Sequence, residues 1–128
     1  MEISLTLNEV AEILDAEVIV GQDQMEMEVR TAFGADLMSD VLAFAKPGSM
    51  LLTGLTNSQV VRTADILDIA AIILVRGKKP AAETTQMAEE LGIPILSTRF
   101  ILFETVGRLY ESGIRGCIEK VDNHSDRP

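Results

Sequence analysis

Between residues 49 and 96, three short apolar runs alternate with segments of helical spacing, and each changeover is marked by Gly, Asn, Ser or Pro. The runs SMLLTG (49–54), DIAAIILV (68–75) and IPIL (93–96) lack the in-and-out alternation of a sheet with one wet face, so they predict strands buried on both sides. Residues 57–67 and 82–91 carry apolar side chains at helical spacing. A strand, crossover helix, strand repeat calls for parallel pairing with the helices packed on the sheet. The predicted class is therefore α/β, with a mostly parallel sheet and helices on both faces.

The flanks extend this pattern. Thr6 followed by Glu9 forms a capping-box signature, and Leu7, Val10, Ala11, Ile13 and Leu14 share one face, which predicts a helix over 7–16. Residues 17–20 read as a short strand stopped by Gly21, 22–26 as a polar turn, and 27–33 as a second strand ending at Gly34. A short helix is expected over 39–45, ahead of the Lys46-Pro47-Gly48 turn. A last helix is expected over 102–112, stopped by Gly113 and Gly116. The final stretch, EKVDNHSDRP, is polar and patternless. The expected organisation is one domain over 1–116 and a disordered tail over 117–128.

Composition narrows the picture little. At 128 residues, with 47% hydrophobic and 24% charged residues, the chain has the make-up of a single globular domain. Four Phe, one Tyr and no Trp leave packing to aliphatic side chains. No apolar run reaches the ~18 residues of a membrane span, and no basic segment precedes an apolar one at the N-terminus, so a cytoplasmic protein is expected. The lone Cys117 has no internal disulfide partner, and no catalytic signature surrounds it.

Charge is more informative. The net charge is −9, and the first forty residues hold ten acids and one base, Arg30, while the remainder is balanced. Such a chain repels phosphate backbones and anionic lipid, which argues against nucleic-acid and membrane partners. The excess can serve solubility alone; the sharper expectation is that Glu26 and Glu28 lie on an edge hairpin facing a basic partner.

Catalytic chemistry finds no support in the residues. Gly77-Lys78-Lys79-Pro80 lacks the first Gly and the hydroxyl of a phosphate-binding P-loop. One His and one Cys offer no metal set, and Ser97-Thr98 has no accompanying base, so capping of the next helix is the role expected of Thr98. No cofactor is expected. A small-molecule site, if built, belongs at the carboxyl ends of the parallel strands, where free amides of first helical turns favour anions. The loops concerned are 34–36, 53–57, 76–79 and 97–99, and the candidate ligand-binding residues in them are Gly54, Thr56, Asn57, Arg76, Gly77, Lys78, Thr98 and Arg99. Arg76, Lys78, Lys79 and Arg99 form the only local positive cluster that the sequence implies.

Four stretches carry a family resemblance: Gly-Ser-Met-Leu-Leu-Thr-Gly (48–54), Ile-Ile-Leu-Val-Arg-Gly-Lys-Lys-Pro (72–80), Gly-Ile-Pro-Ile-Leu (92–96) and Phe-Glu-Thr-Val (103–106). Across 11–114 the chain resembles a DRTGG domain, a module also found within some pyrophosphatases and phosphotransacetylases and similar in fold to the N-terminal domain of HPr kinase/phosphorylase. It departs from that pattern twice. Gly54-Leu55-Thr56 stands where the family tends to carry Gly-Asp-Arg, and Val75-Arg76-Gly77 stands in place of a Thr-Gly-Gly-like turn. The resemblance implies a regulatory or sensory module without catalysis. The expected function is thus non-enzymatic sensing of a nucleotide or other phosphorylated anion, coupled to regulation of a metabolic enzyme. The competing expectation is a dimeric protein–protein adaptor with no small ligand. Met38, Val41, Leu42 and Phe44, with Phe100, Ile101, Leu102 and Phe103, suggest more apolar surface than one core absorbs, and a homodimer would cover it.

Overall fold

A computed structural model describes residues 3–122. It contains strands β1 (Leu5–Thr6), β2 (Glu17–Val20), β3 (Glu28–Val29), β4 (Thr31–Gly34), β5 (Met50–Thr53), β6 (Ala71–Leu74), β7 (Ile95–Ser97) and β8 (Arg115–Gly116). The helices are α1 (Leu7–Leu14), α2 (Met38–Phe44), α3 (Ser58–Ile66), α4 (Ala82–Leu91) and α5 (Leu102–Glu111). Six strands form one sheet in the order β2-β7-β6-β5-β4-β8. Every neighbouring pair from β7 to β8 is parallel, and β2 alone runs antiparallel, against β7.

The apolar runs form strands for the expected reason. All four residues of both β5 and β6 are buried. Leu51, Ile72, Leu74 and Ile95 face α2, α3 and α4 through Val41, Val60, Val61, Ala64 and Ala88. Met50, Leu52, Ala71, Ile73 and Leu96 face α1 and α5 through Leu7, Val10, Leu14 and Leu109. Helices therefore cover both faces, and successive residues of each strand supply opposite cores.

Local signals place the ends. The Thr6/Glu9 capping box is complete, with the Glu9 amide donating to Thr6 Oγ1 at 3.2 Å and the Thr6 amide donating to Glu9 Oε1 at 2.8 Å. The helix stops at Asp15, which turns into the left-handed region at φ 47. Gly92 ends α4 the same way at φ 71, a conformation that costs glycine nothing.

The region before β5 differs from expectation. Residues 27–33 do not form one strand: β3 pairs antiparallel with β1 in a separate ribbon, and β4 then joins the main sheet beside β5. The break at Arg30 lets Val29 enter the core under α1 while Thr31–Gly34 meets β5. The edge hairpin expected to carry Glu26 and Glu28 does not exist, because β2 crosses to the far edge to pair with β7. Both acids are bonded locally, Glu28 accepting from Ser4 Oγ at 2.7 Å and Glu26 from Asn8 Nδ2 at 2.9 Å. At the other end of the chain, β8 pairs with β4, and the Cys117 amide donates to Ala32 O at 3.2 Å, so ordered pairing continues one residue past 116. Of the expected tail, residues 123–128 lie outside the described residues. Among the described residues, no helix is long and apolar enough to cross a membrane.

Candidate functional site

Because β4 to β7 are parallel, their carboxyl ends share one edge of the sheet, and four loops emerge there. Their backbones are bonded to one another. The Val75 amide donates to Thr53 O at 3.0 Å, the Arg76 amide to Phe100 O at 2.8 Å, and the Gly77 amide to Thr98 O at 2.8 Å. Thr56 O accepts both the Ala81 amide and Thr84 Oγ1, the latter at 2.8 Å, which ties the loop after β5 to the start of α4. Ser97 Oγ donates to Lys78 O at 2.6 Å. The edge is thus a braced surface.

The eight candidate residues all fall on this edge, in different roles. Asn57 caps α3, its Oδ1 accepting from the Gln59 amide at 3.0 Å. Gly54 lies under the Arg76 guanidinium, so a Cβ added there would collide with it. Arg76 and Gly77 both adopt left-handed conformations, φ 64 and φ 69. For an arginine that conformation costs on the order of 1 kcal/mol, and the two amide bonds to the loop after β7 hold it. Arg99 is exposed and close to Gly77, where an added Cβ would sit 3.9 Å from Arg99 Cγ. Lys78 is exposed beside them, whereas Lys79 is drawn away into an ion pair with Glu17 of β2.

Thr98 does not cap the following helix. It is fully buried, its Oγ1 donating to Leu14 O at 2.6 Å and accepting from the Phe100 amide at 3.3 Å. Ile101 occupies the cap position of α5 without a side-chain bond. The hydroxyl is used to pin the turn after β7 to the end of α1, so Thr98 shapes the edge without facing it. An open hollow lined by Leu14, Asp15, Arg99 and Phe100 lies next to this turn.

Two residues of the edge were not among the candidates. Asp36, two residues beyond β4, reaches across to β5, and its Oδ1 accepts from Thr53 Oγ1 at 2.9 Å and from the Gly54 amide at 2.8 Å. Thr53 Oγ1 in turn accepts the Leu55 amide at 3.2 Å. The Gly54 amide bond holds the Asp36 carboxyl below its ordinary range, helped by Thr53 and the Arg76 charge and opposed by partial burial. Both lie in loops that the sequence places at this edge, 34–36 and 53–57, but an Asp just beyond one strand and a hydroxyl ending the next form a pattern too common to single out as ligand-binding.

The pH consequence has a definite sign. A carboxyl whose folded pKa is depressed contributes stability that is complete above its unfolded pKa and is lost as pH falls through the folded one. Wild type minus Asp36→Asn stability, followed by thermal melts from neutral pH downward, is expected to shrink below the ordinary aspartate range; a pH-independent difference would contradict the assignment.

Among the described residues, no group of three or more His, Cys, Asp or Glu is arranged to hold a metal ion. The arrangement offers instead, at the carboxyl edge of a mostly parallel α/β sheet, a braced backbone and three exposed cations, Arg76, Lys78 and Arg99, with no ion-pair partner among the described residues. The DRTGG domain family matches residues 9–112, and the chain belongs to that family. No curated protein sequence matches it. In fold it is similar to the CBS and DRTGG domains of the regulatory region of a Clostridium perfringens pyrophosphatase, solved in complex with its activator diadenosine tetraphosphate. The TM-score is 0.70 at 17% identity, over 92% of this chain and 51% of that one. The chain spans about half the length of that structure.

Proposed function

We propose that this DRTGG domain is a cytoplasmic, non-catalytic sensor that binds a nucleotide or another phosphorylated anion at the carboxyl edge of β5, β6 and β7 and thereby regulates a metabolic enzyme. The observation that carries the reading is Arg76. Its guanidinium is laid over Gly54 with no hydrogen bond to any described residue, on a backbone in a conformation disfavoured for arginine. A cation with five donors, on a fixed backbone and without an acceptor among the described residues, suits a phosphate. Lys78 and Arg99 add to the positive field in an otherwise acidic chain. The family and the activator-bound regulatory region of the similar structure support a regulatory role.

Thermal unfolding against mono-, di- and dinucleotides tests this. A ligand at a hundred times its Kd adds about 2.7 kcal/mol of stability, a shift of several degrees. Arg76→Ala combined with Lys78→Ala is expected to abolish the shift while leaving the unliganded midpoint nearly unchanged, because both side chains are exposed.

A second reading, the dimeric adaptor, has its own observation. Phe103, Val106 and Tyr110 line one exposed side of α5, and Phe103 is 84% accessible. Of the other residues that suggested apolar surface, Val41 is in the core, Met38 packs against it, Leu102 packs against the core on the other face, Phe44 is half-buried, and Phe100 is covered by the Arg108 guanidinium at 4.0 Å, which leaves Leu42 and Ile101 exposed. A flat ligand panel together with a dimeric mass in light scattering would favour this reading over the sensor.

A further inference from the structure

The carboxyl edge carries an unpaired negative oxygen as well as an unpaired cation. Both hydrogen bonds that the Asp36 carboxylate accepts fall on Oδ1, and Oδ2 has no hydrogen-bond partner among the described residues. Asp36 and Arg76 lie on either side of Gly54, close enough to interact electrostatically, yet they do not close into an ion pair. Asp36 is fixed through Thr53 and the Gly54 amide, and the Arg76 backbone through Phe100 O.

The charge pattern restricts what can bind. Asp36 already occupies the Gly54 amide and the Thr53 hydroxyl, which would otherwise donate to an anion at the end of β5. A bare phosphoanion seated on Arg76 therefore meets carboxylate repulsion and finds no amide at Gly54. A ligand that places a hydroxyl near its phosphate converts that repulsion into a charge-assisted hydrogen bond. We infer that Asp36 and Arg76 act as a two-ended reader, Arg76 taking the phosphate and Asp36 Oδ2 accepting from a sugar hydroxyl of the same molecule, so that the site selects phosphorylated ribose over inorganic phosphoanions. The inference rests on the anion-binding reading above and names the ligand class of that site.

Isothermal titration of the full chain with ADP, 2′,3′-dideoxy-ADP and inorganic pyrophosphate tests it. Wild type is expected to bind ADP about tenfold more tightly than either competitor, the usual scale for a hydrogen bond to a charged group. Asp36→Asn keeps an acceptor for Thr53 and Gly54 but loses the charge, so the preference for ADP should collapse to about threefold or less as pyrophosphate binding tightens. Gly54→Ala supplies an independent variant. Its Cβ meets the far end of the Arg76 side chain, so it unseats the guanidinium and is expected to weaken all three ligands in parallel, leaving their ratio unchanged. A wild-type preference that persists in Asp36→Asn, or equal binding of all three by wild type, overturns the two-ended reader and leaves the anion site standing. No binding of any of the three by wild type overturns both.

Discussion

Ile73→Ala should destabilise the protein by about 2–5 kcal/mol, out of a total of the order of 5–15 kcal/mol expected for a domain of this size. Ile73 is fully buried in β6 and lies between Leu52 of β5 and Leu96 of β7 in register. Its side chain belongs to the cluster under α1 and α5, where Leu14, Leu96 and Leu109 are also without solvent contact. Truncation removes three carbons from a site walled by two strands and two helices, so little can collapse into the void. At roughly 4 °C per kcal/mol, the midpoint should fall by about 8–20 °C. Ile66→Ala is the control: Ile66 is as apolar but 72% exposed at the end of α3, and its loss should stay within about 0.5 kcal/mol. Calorimetry of the two variants checks the layer assignment, and equal shifts would contradict it.

Thr98→Val should cost about 1–3 kcal/mol through a different mechanism. The substitution preserves shape but strands Leu14 O and the Phe100 amide, both of which face Thr98 Oγ1. An orphaned buried polar group carries its full desolvation penalty, whereas a bond between two retained groups contributes much less. Thr98→Ser keeps the hydroxyl and should recover most of the loss in denaturant titration. The same bond joins α1 to the carboxyl edge, and Phe100 O accepts the Arg76 amide. Thr98→Val is therefore also expected to weaken ligand binding at Arg76 without touching the ligand. A variant as stable as wild type would remove Thr98 from this role.

These two residues illustrate how function can be coupled to the fold. Ile73 holds the layers together and has no bearing on chemistry. Thr98 uses a buried hydroxyl to place a turn, and the turn places Arg76 across Gly54 in a left-handed conformation. Asp36 acts similarly from the other side, holding the Gly54 amide from the end of β4. The site is thus assembled from loops that are far apart in sequence and braced by backbone bonds, which is how an exposed edge of a parallel sheet retains a defined geometry.

What was legible along the chain followed from short-range physics. Runs buried on both faces, such as Ala71–Leu74, announced a parallel sheet because no polar position interrupts them. The Thr6/Glu9 box announced α1 because its partners are three residues apart. The carboxyl edge followed from topology alone, since parallel strands must end together. Tertiary structure decided the rest. Residues 27–33 alternate as one strand would, yet they divide at Arg30 because β1 and β5 compete for their two halves. β2 leaves its expected hairpin because β7 offers it an open edge on the far side of the sheet. Thr98 looks like a helix cap in sequence and becomes an interior brace only because Leu14 O, 84 positions away, needs a donor. Asp36 is one of twenty acids until the fold lays it against the Gly54 amide. Local periodicity is a property of neighbouring residues and is written in the chain, whereas the partner of a buried or site polar group is set by which distant segments the packed core brings within 3 Å.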